Sequence, residues 1–125
     1  MNKKTSIEEL TIEGVTYVPK NSIPSLAEKR DGMPFVCVRT YSAGVHCGYL
    51  KERDGKDVTL VDSIRIHYWD GAASLSQLAM EGVSKPENCR FAMPVNEIAL
   101  TEAIEVIPMT GAAVENIKSV PSWKK

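Results

Sequence analysis

The sequence predicts an α+β fold: a twisted antiparallel β-sheet, built as a hairpin meander, with two helices on one face of a small single domain. Three observations predict it. Runs rich in strand formers at 35–41, 45–51 and 58–69 are separated only by the turn signals Ser42-Ala43-Gly44 and Asp54-Gly55. Two later segments, 72–83 and 111–120, change to the three-to-four-residue spacing of a helix. The strand–helix–strand alternation of a parallel sheet is missing. With 125 residues, 43% of them hydrophobic, the chain suffices for one core.

In chain order, residues 1–9 read as a flexible start, and 10–18 as a short strand pair turning at Gly14. Residues 19–34 read as a loop with a helical turn at 25–30. The strands Phe35–Tyr41, Val45–Lys51 and Val58–Trp69 follow, the last with a kink near Asp62-Ser63. Asp70 is the predicted cap of a helix over Ala72–Val83, which Gly82 and Pro86 stop. Phe91–Leu100 contains Pro94 and reads as an edge or irregular strand, and 101–108 leans toward strand through Ile104 and Val106. Thr110 caps a last helix, Gly111–Val120, with Val114, Ile117 and Val120 on one side, and Trp123 anchors a short basic tail.

Composition excludes several classes. The formal net charge is −1, with no basic cluster of the kind a nucleic-acid polymer requires. No apolar run approaches the length of a membrane span, and the polar start lacks a secretory signal, so the expected location is the cytosol. The odd set Cys37, Cys47 and Cys89 has no CxxC pair and reads as buried free thiols. Metal motifs are missing, and no metal or cofactor is expected. Catalysis has little support: His46 and Cys47 are sequence neighbours and point to opposite strand faces. Both histidines, His46 and His67, read as surface or interface residues, and Glu102 and Glu105 as a solvated face.

What remains is a binding surface. Strand periodicity groups Leu60, Asp62, Ile64, Ile66 and Tyr68 on one face, and Val61, Ser63, Arg65, His67 and Trp69 on the other. It also groups Arg39 with Tyr41. Guanidinium groups fork to phosphate and aromatic rings stack on bases, so these pairs suit a nucleotide. An exposed sheet face with cross-strand cation–π pairs would produce the same pattern. The small residues of Gly71-Ala72-Ala73-Ser74 expose backbone N–H groups at an expected helix start, and those of Ser42-Ala43-Gly44 at a turn.

Two blocks go beyond periodicity. Val38-Arg39-Thr40-Tyr41-Ser42-Ala43-Gly44-Val45, followed by Gly48-Tyr49-Leu50, resembles the first type of Thoeris anti-defence proteins of phages and prophages. So does Arg65-Ile66-His67-Tyr68-Trp69-Asp70-Gly71-Ala72-Ala73-Ser74-Leu75-Ser76-Gln77-Leu78-Ala79 with Glu81-Gly82, and the resemblance extends loosely over 35–123. It implies a non-enzymatic sponge that holds a cyclic ADP-ribose isomer or related cyclic nucleotide between protomers of a homo-oligomer, with cyclic oligonucleotides held at separate sites in some relatives. The immune effector that reads the signal then stays silent. It implies ligand contacts at Arg39, Tyr41, Ser42, Ala43, Gly44, Arg65, Tyr68 and Trp69, with Asn88, Arg90 and Phe91 as additions from the loop after the helix. Two other functions stay open: an enzyme that cleaves such a signal, and a protein–protein inhibitor of a host component.

Overall fold

Gly48 and Asp62 lie where the long hairpin of the main sheet changes register. The computed structural model describes residues 25–125 together with the strands β1 (Leu10–Ile12) and β2 (Val15–Tyr17), which pair antiparallel. The expectation for residues 1–9 lies outside the described residues. The main sheet is antiparallel and comprises β3 (Phe35–Thr40), β4 (Val45–Asp54), β5 (Asp57–Tyr68), β6 (Arg90–Phe91), β7 (Val95–Leu100) and β8 (Ala103–Pro108). Its order is β6-β5-β4-β3-β8, and β7 pairs with the first half of β5 on the edge that β6 uses further along. The helices are α1 (Leu75–Glu81) and α2 (Gly111–Ser119). The α+β meander read from the sequence is therefore the fold.

The long β4–β5 hairpin is bent. Asp62 takes a left-handed φ of 50° and adds one residue to β5 opposite the Cys47–Tyr49 stretch of β4, a β-bulge. Gly48 sits inside this bend, and a Cβ there would lie 3.0 Å from the Ser63 Cα, so no larger residue fits without backbone movement. Arg30 pairs with the Asp62 carboxylate and lays its guanidinium 4.0 Å over the Tyr49 ring, bracing the bulge from outside.

The bulge reverses the inside–outside alternation of β5. Val58 and Leu60 bury into one cluster with Val36, Val38, Leu100 and Ala103. Ile64 and Ile66 bury into the other, with Phe35, Cys37, Cys47, Leu78, Ala113 and Ile117. The predicted grouping of Leu60 with Ile64 on one face fails for this reason: the extra residue moves everything after Asp62 to the opposite side.

The second cluster is the interface with the helices, which pack on each other over that face. The first is covered by the sheet itself. In a flat sheet β7 and β8 would lie four strand spacings apart, about 19 Å. Only Thr101 and Glu102 join Leu100 to Ala103, a reach of about 11 Å at most. The sheet must therefore curl. The Ala103 N–H donates to the Lys56 carbonyl at the tip of the β4–β5 hairpin (3.1 Å), and the Tyr41 N–H to the Glu102 carbonyl (3.0 Å). The hairpin tip and the β3–β4 turn thus converge on one link, and the face away from the helices becomes a closed trough.

Local predictions fare unevenly. Thr110 caps α2, its hydroxyl accepting from the Ala113 N–H (3.0 Å), as expected. The cap of α1 is Ser74, not Asp70, and the helix starts at Leu75 rather than Ala72. Ser74 accepts from the Gln77 N–H (3.2 Å), whereas Asp70 is occupied by the Asn88 amide (3.0 Å). The helical turn expected at 25–30 is extended instead: Leu26 bridges to Thr110, and Ala27 donates to the Met109 carbonyl (3.0 Å). The irregular strand 91–100 is two strands, β6 and β7, broken where Pro94 cannot donate to a ladder.

Candidate functional site

Beyond the Asp62 bulge, the trough side of β5 presents Ser63 and Arg65, and His67 follows on the same alternation. The register carries this across the sheet. Val38 pairs with His46 and His46 with Arg65, all on the trough face. Arg39 pairs with Val45 and Val45 with Ile66, all on the helix face. The two arginines that the sequence offered as similar sites therefore lie on opposite faces.

A cavity of about 100 Å³ opens at the end of the trough, between His46, Ser63 and Arg65 on one side and Met93, Val95 and Ile98 on the other. His46 is 0% and Ser63 1% exposed. The expectation that His46 lies at the surface is corrected: its strand position faces the trough, which the curled sheet covers. The imidazole Nε2 lies 2.9 Å from the Ala43 carbonyl, which can only accept, so Nε2 carries the proton and donates. Burial, reinforced by the positive charge of Arg65, holds the His46 pKa below its ordinary value, so the ring is neutral. Nδ1 is then a lone-pair acceptor, and neither it nor the Ser63 hydroxyl has a hydrogen-bond partner among the described residues.

Along the same edge lies an open basin of about 400 Å³ formed by His67, Tyr68, Asn88 and Arg90. β6 positions Arg90 opposite Tyr68, where a second register shift sets both His67 and Tyr68 against it. The C-terminal tail packs beside two of these residues, His67 and Arg90. The Trp123 N–H donates to the Phe91 carbonyl (2.8 Å), its ring stacks on His67 at 5.3 Å, and the Arg90 guanidinium lies 5.3 Å over that ring. Asn88 is held by Asp70, at the end of a single 3₁₀ turn, Pro86–Asn88.

Of the residues named from the sequence, Tyr68, Asn88 and Arg90 come together in the basin and Arg65 borders the cavity. The others separate. Arg39 forms an ion pair with Glu105 of β8 (3.6 Å), and Ser42 hydrogen-bonds Glu102 in the link before that strand. Tyr41 is 79% exposed beside them. Ala43 and Gly44 form a self-contained turn, with the Thr40 hydroxyl donating to the Gly44 carbonyl (2.8 Å) and accepting from the Ala43 N–H (2.8 Å). Phe91 is 1% exposed and belongs to the core, because its alternation in β6 turns it toward the helices. Trp69 leaves the Arg65–His67 face, packs against the same core and donates its indole N–H to the Ala72 carbonyl (3.2 Å).

The supposed anion site at Gly71–Ser74 is likewise corrected. The Ala73 N–H is bonded to the Gln77 side chain (2.8 Å), Ser74 caps Gln77, and the helix itself has only 7 residues.

His46 and Ser63 were missed as site residues. A histidine two residues before Gly48, and a serine beside the predicted kink, were the only signals available. Chemically the arrangement offers two guanidinium groups and three aromatic side chains along one edge, above a buried acceptor–hydroxyl pair. Among the described residues no cluster of three potential metal ligands occurs, and no helix is long and apolar enough to cross a membrane. Cys37 and Cys47 face each other across β3 and β4, free and buried, and their mutual hydrogen bond with burial raises the Cys47 thiol well above its usual pKa; Cys89 is free but only half-buried.

One family model, Domain of unknown function (DUF6948), matches residues 33–117. Comparison with curated proteins and with solved structures gives no match.

Proposed function

The chain belongs to that family, whose matched span contains the whole main sheet, the first helix, most of the second and the residues lining both pockets, and from this premise we propose that it is a non-catalytic protein that binds and sequesters a cyclic ADP-ribose isomer or related cyclic nucleotide. The observation that carries the reading is the basin, where Tyr68, Asn88 and Arg90 meet His67 and the Trp123 ring. Guanidinium donors suit a pyrophosphate, and stacked rings suit a base or a second ring of the ligand. The basin is open on one side in a single chain, which fits a second copy of the chain as the opposite wall of a homo-oligomer. Closure between copies would exclude water and strengthen each charged contact. Sequestering the signal in this way would silence its effector in the host cytosol, the role that the resemblance to first-type Thoeris anti-defence proteins implies.

Titration calorimetry with purified protein and the cyclic ADP-ribose isomers tests the proposal. Binding is expected, with recovery of ligand of unchanged mass after heating the complex. Arg90→Ala should weaken binding by about 1–3 kcal/mol, the cost of losing a charged hydrogen bond, without changing the melting temperature by more than a few degrees. Absence of heat with every isomer would overturn the reading, and ligand of altered mass would favour a cleaving enzyme instead. Trp69→Ala is unsuitable for this purpose, because that ring packs on the core and its loss reports on folding.

A further inference from the structure

The residues lining the basin supply a guanidinium, an imidazole, a phenol and one amide, that of Asn88. An amide presents a donor and an acceptor side by side, so its orientation decides which ligand edge it accepts. An exposed amide ordinarily turns over and reads either edge. Asn88 is exposed but held: its Nδ2 donates to the Asp70 carboxylate (3.0 Å), and a carboxylate can only accept. Turned over, Oδ1 would face that carboxylate, acceptor against acceptor.

Asp70 is itself fixed. Its backbone N–H donates to the Cys89 sulfur (3.4 Å). The next carbonyl, that of Gly71, accepts from both the N–H and the hydroxyl of Ser84 (3.2 Å each). The turn after β5 is thus locked to both ends of the loop 84–89 that carries Asn88. Asp70 does not line the basin, so the amide edge turned away from it is the edge left to a ligand. On that edge lies Oδ1, which accepts no hydrogen bond among the described residues.

We propose that Asp70 is a positioning residue that fixes Asn88 as the specificity-determining residue of the basin, selecting a ring with an amino group beside a ring-nitrogen acceptor over a ring with an oxo group in the amino position. Adenine is such a ring: its amino group donates to Oδ1, and the adjacent ring nitrogen accepts from the second hydrogen on Nδ2. Hypoxanthine carries an oxo group in place of the amino group and would set oxygen against oxygen. The inference rests on the nucleotide-binding reading of the basin and adds how the base is chosen.

The test titrates the full-length protein with adenosine diphosphate and with inosine diphosphate. The two share the diphosphate that Arg90 would hold and differ in the base edge that Asn88 would read. Adenosine diphosphate should bind about tenfold more tightly, the discrimination that a bidentate amide contact provides. Asp70→Ala frees the amide to turn over, so the preference should vanish, chiefly through a gain in inosine diphosphate binding. Asp70→Asn keeps an acceptor for Nδ2 and should restore most of the preference. A merely structural loss of the loop would weaken both ligands together and leave their ratio alone. Asn88→Ala removes the exposed amide itself and should abolish the preference with an unchanged far-ultraviolet spectrum, which keeps the test decisive if Asp70→Ala fails to fold. Equal binding of the two diphosphates, binding of neither, or a preference that survives Asp70→Ala or Asn88→Ala would overturn the inference. Calorimetric binding of the cyclic isomers alongside such a result would leave the sequestration reading standing. Conversely, the expected preference with no heat from any cyclic isomer would keep Asp70 and Asn88 in these roles and remove the sequestration reading.

Discussion

The His46 ring is fully buried with Nε2 donating to Ala43, so water cannot solvate a second proton, and the nearby positive charge of Arg65 adds to that penalty. The ring's folded-state pKa is therefore held below the usual value of about 6.5. The sign of the linkage follows. Above about pH 6.5 the ring is neutral in both states, and the associated stability is fully present. As the pH falls below that value the unfolded chain takes up a proton that the folded chain refuses, and stability declines until the folded pKa is reached. Melting temperatures at pH 7.5 and 5.5 should show a larger loss for the natural protein than for His46→Gln; equal losses would disprove the linkage. Little of this was legible in the sequence. An isolated histidine between Val45 and Cys47 carries no mark of burial on both sides, because the cover over it comes from residues 92–98, far along the chain.

At the scale of the elements, the β3–β4–β5 meander and the second helix were legible, since turn signals and apolar period are local properties. The faces of β5 were legible only in part. The run 58–69 looks continuous, and the kink expected at Asp62-Ser63 was read without its effect, a one-residue insertion that exchanges the two faces. That exchange puts Ser63 and Arg65 in the trough and Ile64 and Ile66 under the helices. It depends on close approach of two backbones at Gly48, where a Cβ would press on the Ser63 Cα rather than on a side chain able to swing away. Gly48→Ala should therefore destabilise the protein by about 1–3 kcal/mol, measured by urea unfolding. A neutral result would show that the bend has slack. The same substitution should disturb the cavity more than the basin, because Ser63 lines only the former.

For the whole molecule, the α+β class followed from the order of the elements, but the curl of the sheet did not. It arises from the Thr101-Glu102 link, whose meaning depends on knowing that β7 and β8 occupy opposite edges. The site inherits this dependence, since the trough exists only when the edges are drawn together. The link also orders events in time. The β4–β5 hairpin closes through nearby residues around Asp54-Gly55, whereas β8 must find β3 across most of the chain. Local pairing forms early and distant pairing waits on loop closure. Gly55 has φ 62°, so Gly55→Ala should strain the turn by about 1–2 kcal/mol and act mainly by slowing refolding. Lengthening the Thr101-Glu102 link with glycine and serine should instead act mainly by hastening unfolding. Stopped-flow chevrons would separate the two, and the reverse assignment would place closure before the hairpin. A newly made chain would thus hold its ring-bearing edge exposed while the cavity behind it had yet to form, and the last step of folding would also be the first moment at which the protein could retain a ligand.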